Sequence, residues 1–154
     1  MKTLVAYFSA EGNTAAMAKS LAQTIHADIF EIKPEVPYTA SDINWKNPLA
    51  RCNKEKIAKK DVPIQGSVSD WDQYDTVCLG FPIWYYGAPN IINTFCKGYD
   101  WTGKKVVLFA TSGGSNIGKT ADKLSPYLKG NPLIVSAGVY QNADSLKKAV
   151  EEAV

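Results

Sequence analysis

Residues 5–22 read VAYFSAEGNTAAMAKSLA. A short apolar run, 2–9, ends in small polar residues, as a buried strand does. Residues 13–25 then place Ala, Met, Leu and Ile at helical spacing. Strand, tight polar turn and helix succeed one another with no spare chain between them. The remaining chain keeps the same alternation. Residues 27–33 alternate like a strand and stop at Pro34. A long polar stretch, 34–73, holds Pro34, Pro37, Pro48 and Pro63 and is expected to carry a helix near 47–60. Strands are predicted over 75–82, 104–112 and 132–139. Helices are predicted over 88–98, with Pro89 near the first turn, and within 118–129, ended by Gly130. An amphipathic helix, 143–154, closes the chain with Asn142 or Asp144 as its cap. Five strands separated by helices make a parallel sheet covered on both faces. The fold class is therefore α/β, a three-layer αβα sandwich, with 1–154 as one domain and no internal repeat.

Composition narrows the function. No apolar run approaches the ~20 residues that span a bilayer. The chain opens Met-Lys and runs straight into a strand, with no signal-peptide cleavage region, so a cytoplasmic location and no membrane partner are expected. A net charge of +2 implies no strong electrostatic field. Lys54, Lys56, Lys59 and Lys60 are interleaved with Glu55 and followed by Asp61, which reads as a solvated helix face rather than a nucleic-acid surface. Cys52, Cys78 and Cys96 form no C-x-x-C pair, and His26 is the single histidine, so no metal site is expected. Cys78 and Cys96 read as core residues rather than redox centres.

In an open parallel sheet, ligands bind outside the carboxyl ends of the strands, where the strand order switches. Three loops are informative there. The first, SAEGNT (9–14), offers the hydroxyls of Ser9 and Thr14, the Asn13 amide and a turn at Gly12, and opens directly into a helix. Amides at a helix N-terminus with two hydroxyl donors suit a phosphate monoester without lysine or metal. The Glu11 carboxylate would repel that phosphate, so its backbone amide is expected to face the ligand and its side chain the water. The plainer alternative is an ordinary turn with Asn13 as helix cap. The second loop, 81–89, sets Trp84, Tyr85 and Tyr86 between Pro82 and Gly87. Such rings suit a flat aromatic ligand or, alternatively, a protein partner. The third, 111–118, is glycine-rich: Gly113 and Gly114 permit close backbone approach, and Ser112, Ser115 and Asn116 supply hydrogen bonds.

Taken in order, these motifs resemble the flavodoxin-like family. The resemblance rests on 5–22 and on LGFPIWYYGAPNIINTFCKGYDWTGKKVVLFATSGGSNIG (79–118), and extends over nearly the whole chain. It implies strand order 2-1-3-4-5 and FMN as cofactor. It also implies roles. Ser9, Gly12, Asn13 and Thr14, with the Glu11 amide, would hold the FMN phosphate. Pro82, Ile83, Trp84, Tyr85 and Tyr86, with Gly87, would form the loop against the isoalloxazine. Ser112, Gly113, Gly114 and Ser115 would line the opposite edge and the ribityl chain.

A competing motif is Gly113–Thr120, GGSNIGKT, which fits the P-loop of nucleotide hydrolases at Gly113, Gly118, Lys119 and Thr120. That chemistry needs an acidic residue at the end of a neighbouring strand to hold magnesium. The third strand instead ends Gly80-Phe81-Pro82 and the fifth Gly138-Val139-Tyr140, while Asp75 lies at the wrong end of its strand.

Two departures separate the chain from the flavodoxins that act as electron carriers. Those are strongly acidic, whereas this chain has a pI near 8.3. Carriers also often place glycine directly after the aromatic of the second loop, where Tyr85-Tyr86 stands here. A non-glycine residue makes positive φ costly, so weaker stabilisation of the one-electron-reduced flavin is expected. The resulting expectation is an FMN-dependent NAD(P)H oxidoreductase acting on a quinone, nitro compound or similar small acceptor. The alternative is a carrier between protein partners. Arg51 or Trp45 of the 34–73 segment, with Tyr85 and Tyr86, would cover the exposed flavin face. The bland reading of that segment is a surface excursion.

Overall fold

The alternation of apolar residues along the first strand decides the layering. In the computed structural model, β1 (Lys2–Tyr7) buries Leu4 and Ala6, with Phe8 just beyond its end, on one side and Val5 and Tyr7 on the other. On the Val5 side, α1 (Asn13–Ile25) packs Met17, Ala18, Leu21 and Ala22 beside Leu146 and Val150 of α5 (Ala143–Ala153). On the Leu4 side, α3 (Asn90–Lys97) supplies Ile91, Ile92 and Phe95, and α4 (Thr120–Leu124) supplies Leu124. Two apolar faces and two helical layers are the three-layer sandwich that the pattern implies. The described residues are 2–10, 12–44, 46–58, 61–84, 88–111, 117, 120–140 and 142–153.

The main sheet has the order β2-β1-β5-β6-β7, where β2 is Asp28–Glu31, β5 Tyr74–Pro82, β6 Lys105–Thr111 and β7 Leu133–Val139. All four pairings are parallel. Renumbered within the sheet, this is 2-1-3-4-5, the order the resemblance implies. The switch in direction therefore falls between β1 and β5, and the ends of β1, β5 and β6 share one edge of the sheet. Gly80 is required in the middle. A Cβ there would come within 2.2 Å of the Phe109 ring, which lies across β5 from β6.

Three boundaries differ from expectation, each for a local reason. The second strand ends early. Lys33–Pro34 (β3) instead pairs antiparallel with Ile64–Gln65 (β4), closing the base of the long excursion. The excursion helix is shorter than 47–60: α2 spans Arg51–Ala58. The fourth layer helix stops at Leu124 and continues as a 3-10 turn, Ser125–Tyr127, because Pro126 has no N–H to carry the α ladder onward. The last helix is capped as anticipated, with Asn142 Oδ1 accepting from the Ser145 amide at 2.9 Å.

Candidate functional site

β1 delivers Phe8 and Ser9 to the sheet edge. The Phe8 amide donates to the Gly80 carbonyl at 3.0 Å, which ties the strand's exit to β5. The chain then turns sharply. Gly12 adopts a left-handed conformation, φ 98°, that a β-carbon would strain, and its amide donates to Ser9 Oγ at 3.0 Å. The first helical bond runs from the Ala16 amide to the Gly12 carbonyl, at 3.0 Å. The amides of Asn13, Thr14 and Ala15 thus precede the ladder and face out of the helix end. No acidic residue stands in the first turn, so nothing there opposes the positive end of the helix dipole. Asn13 is the first helical residue, and Gly12 occupies the cap position that the plainer alternative assigned to Asn13. Glu11 lies outside the described residues.

Thr14, whose hydroxyl the sequence offers at the turn, also has a distant partner. Thr14 is 1% exposed, and its Oγ1 lies 2.7 Å from Oγ1 of Thr111, the last residue of β6. The two informative loops after β1 and β6 are thus joined by a pair of hydroxyls. The loop after β5 reaches the same place, since Pro82 pairs in register with Thr111 and the Ile83 amide donates to the Thr111 carbonyl at 3.0 Å. Ser9, Gly12, Asn13, Thr14, Pro82, Ile83 and Trp84 therefore gather along one edge. Tyr85, Tyr86 and Gly87 lie outside the described residues, as do Ser112, Gly113, Gly114 and Ser115.

Trp84 is half-buried and held edge-on by two other rings. Its centroid is 5.7 Å from Phe8 at 89° and 5.4 Å from Tyr38 at 82°. Edge-to-face contacts of this kind favour one geometry, so Trp84 is positioned before any ligand arrives. Tyr38 belongs to the excursion, and the sequence pattern offered no sign of its role. Its phenol donates to Glu55 Oε1. Burial first, and then the Glu55 carboxylate, hold that phenol well above the usual tyrosine range. Arg51 lies 4.0 Å above the Tyr38 ring. Its Nε bonds Glu55 Oε2 at 2.9 Å, and its Nη1 donates to the Val36 carbonyl at 2.7 Å. Arg51 is thus committed to pinning the excursion. The same Tyr38 ring, beneath Arg51, is the one that meets Trp84 edge-on. The Arg51–Glu55 spacing on a helix was a readable signal, whereas the 17-residue reach of Tyr38 to Glu55 was not. Trp45 lies outside the described residues.

Thr120 speaks to the P-loop motif. Its residue is fully buried, and its hydroxyl donates to the Ile117 carbonyl, closing the first turn of α4. A P-loop threonine would present that hydroxyl to magnesium. Gly113, Gly118 and Lys119 lie outside the described residues. Cys78 and Cys96 are 0% exposed, and burial pushes the Cys78 thiol up to about 12, as inert core residues require.

A doubly wound parallel sheet with a glycine turn into a helix after its first strand and Trp84 after its third is the architecture in which nucleotide cofactors bind at the switch in strand order. The flavodoxin family model matches residues 2–153, and the chain belongs to that family. A candidate flavoprotein of Bacteroides eggerthii DSM 20697 is 36% identical, with 99% of this chain and 97% of that one covered and a TM-score of 0.90. Another, from Bacteroides uniformis ATCC 8492, is also 36% identical, covers 97% of both chains and has a TM-score of 0.82. A flavoprotein of Lactobacillus acidophilus NCFM, solved in complex with FMN, shares the fold at 24% identity and TM-score 0.72, over 97% of this chain and 98% of that one. Comparison with curated proteins gives no match.

Proposed function

We propose that the protein is an FMN-binding flavoprotein that passes electrons or hydride from a nicotinamide donor to a quinone-like or other small acceptor. The observation that carries the reading is the pairing of two preformed parts on one sheet edge. One is a turn of hydroxyls and helix-end amides without a carboxylate in the first helical turn. The other is a tryptophan locked between Phe8 and Tyr38. Family membership and the FMN complex of the Lactobacillus flavoprotein support the choice of flavin.

The donor set fits that group. Ser9, Thr14 and the amides at the start of α1 would hold the phosphate, and the helix end stabilises its charge without a metal. Trp84, with Pro82 and Ile83, would bound the ring system, and Phe8 and Tyr38 keep Trp84 from collapsing into the space. When bound, FMN supplies the redox chemistry. The chain's own work is to bind, orient and shield it. The Tyr38 phenol is held protonated by burial and spends its proton on Glu55.

Titration of the apoprotein with FMN and with riboflavin, followed by flavin fluorescence, tests the reading. FMN should bind roughly tenfold or more tighter, because only FMN brings the anion that the turn recognises through charge-assisted hydrogen bonds. Equal affinity for the two, or none for either, would overturn it. With FMN loaded, turnover of free NADH or NADPH with quinones marks an enzyme. Reduction only through a protein reductase marks a carrier.

A further inference from the structure

We propose that Thr111 is a positioning residue for phosphate recognition, acting through the Thr14 hydroxyl. The inference rests on the FMN reading and extends it to a residue 97 positions away, on another strand. Thr14 Oγ1 and Thr111 Oγ1 are 2.7 Å apart, in a region where Thr14 is 1% exposed. Each hydroxyl has one proton and two lone pairs. The bond between them uses one proton, and its direction decides what Thr14 offers a ligand. With Thr14 donating to Thr111, Thr14 shows only lone pairs, which repel a phosphate oxygen. With Thr111 donating to Thr14, the Thr14 proton is released toward the anion. Accepting that bond also makes Thr14 a stronger donor, since linked hydrogen bonds polarise one another.

Thr111 is well placed to hold this direction. It ends β6, and its backbone is fixed by register with Pro82 and by the amide of Ile83 on its carbonyl at 3.0 Å. Its side chain is therefore carried by a rigid strand, while Thr14 rides on the first turn of α1. An anion at the turn selects the productive direction of the pair, and Thr111 makes that direction available. Thr111 acts without touching a ligand atom. Its effect should be confined to ligands that carry the phosphate.

The test compares wild type with Thr111→Val, which keeps the shape and loses the hydroxyl, and Thr111→Ser, which restores it. FMN and riboflavin affinities are measured for each by fluorescence titration. Thr111→Val should weaken FMN binding about fivefold to tenfold and leave riboflavin within about twofold, the scale of one hydrogen bond. Thr111→Ser should recover FMN affinity. In a Thr14→Val background, Thr111→Val should add no further loss for FMN. A Thr111→Val protein that loses both flavins equally, or neither, overturns the inference while the FMN reading stands. A wild type with no preference for FMN overturns both. If Thr111→Val does not fold, Thr111→Ala and the Thr111→Ser rescue give the same comparison.

Discussion

The turn at 9–14 and the excursion at 34–73 both bear on Trp84's end of the sheet, yet they are built in opposite ways. Apart from the Thr14–Thr111 hydroxyl pair, the turn is made of neighbours. Gly12 bonds Ser9 three positions back, Ala16 bonds Gly12 four positions back, and the helix begins at once. Its support is the buried face of α1 on β1, where Leu21 is 0% exposed. The excursion is made of distant side chains. Tyr38 reaches Glu55, Arg51 reaches back to Val36, Asn90 donates to the Glu55 carbonyl at 2.8 Å, and the Val62 amide donates to Thr94 at 3.0 Å. The turn is therefore tied to the first strand and helix, whereas the part of the excursion around Tyr38 and α2 is held largely by these polar contacts and can open locally, while Val62 and Trp71 farther along stay anchored in the core.

The largest contrast should come from truncation beneath the turn. Leu21→Ala removes a fully buried side chain from the α1–sheet interface. It should cost about 2–5 kcal/mol of global stability, read as a lowered denaturation midpoint with an unchanged slope. Hydrogen exchange should then accelerate in β1 and α1 alike. Acceleration confined to the excursion would break the comparison at its stronger side.

A smaller and more local effect is expected from Glu55→Gln. The Glu55 and Arg51 side chains are only 13% and 21% exposed, so the change leaves a mostly buried guanidinium without its carboxylate. The cost is about 1–3 kcal/mol, borne by opening of the excursion rather than by unfolding. Amide exchange should speed by about 5-fold to 150-fold in α2 and stay unchanged over Leu4–Tyr7. A uniform rise across both would show that the excursion is not a separate unit.

The same distinction governs what is legible in the chain alone. The turn, the five main strands and the order of helices come from local pattern: apolar alternation, helical spacing, and glycine and proline at the breaks. The α1 limits were legible to the residue because Gly12 and the Asn13–Ile25 periodicity lie side by side. Tyr38 and Thr111 were not legible. Their meaning lies in partners 17 to 97 residues away, and nothing in the flanking sequence of Thr111 sets it apart from any strand-terminal threonine. The two-residue ribbon β3–β4 was hidden for the same reason, since each half is too short to show a period.

Tyr38→Phe should give the smallest effect and the sharpest one. It removes a single donor and leaves Glu55 paired with Arg51, so the loss is about 0.5–1.5 kcal/mol. It should appear at pH 8 as about 2-fold to 10-fold faster nicking of the excursion by an alkali-tolerant protease, which samples the open state. The pH dependence has a definite sign. In the closed form, burial and Glu55 raise the phenol above its ordinary value of 10.0, while in the open form it ionises there. Below pH 10 both forms hold the proton and the stabilisation is complete. Above it the open form releases a proton that the closed form keeps, so Tyr38 makes rising pH favour opening, a contribution the phenylalanine variant lacks. Phenylalanine has no proton to release, so the two nicking rates should converge as the pH goes from 8 to 11. A ratio that stays constant over that range would mean that the Tyr38–Glu55 bond does not hold the excursion shut.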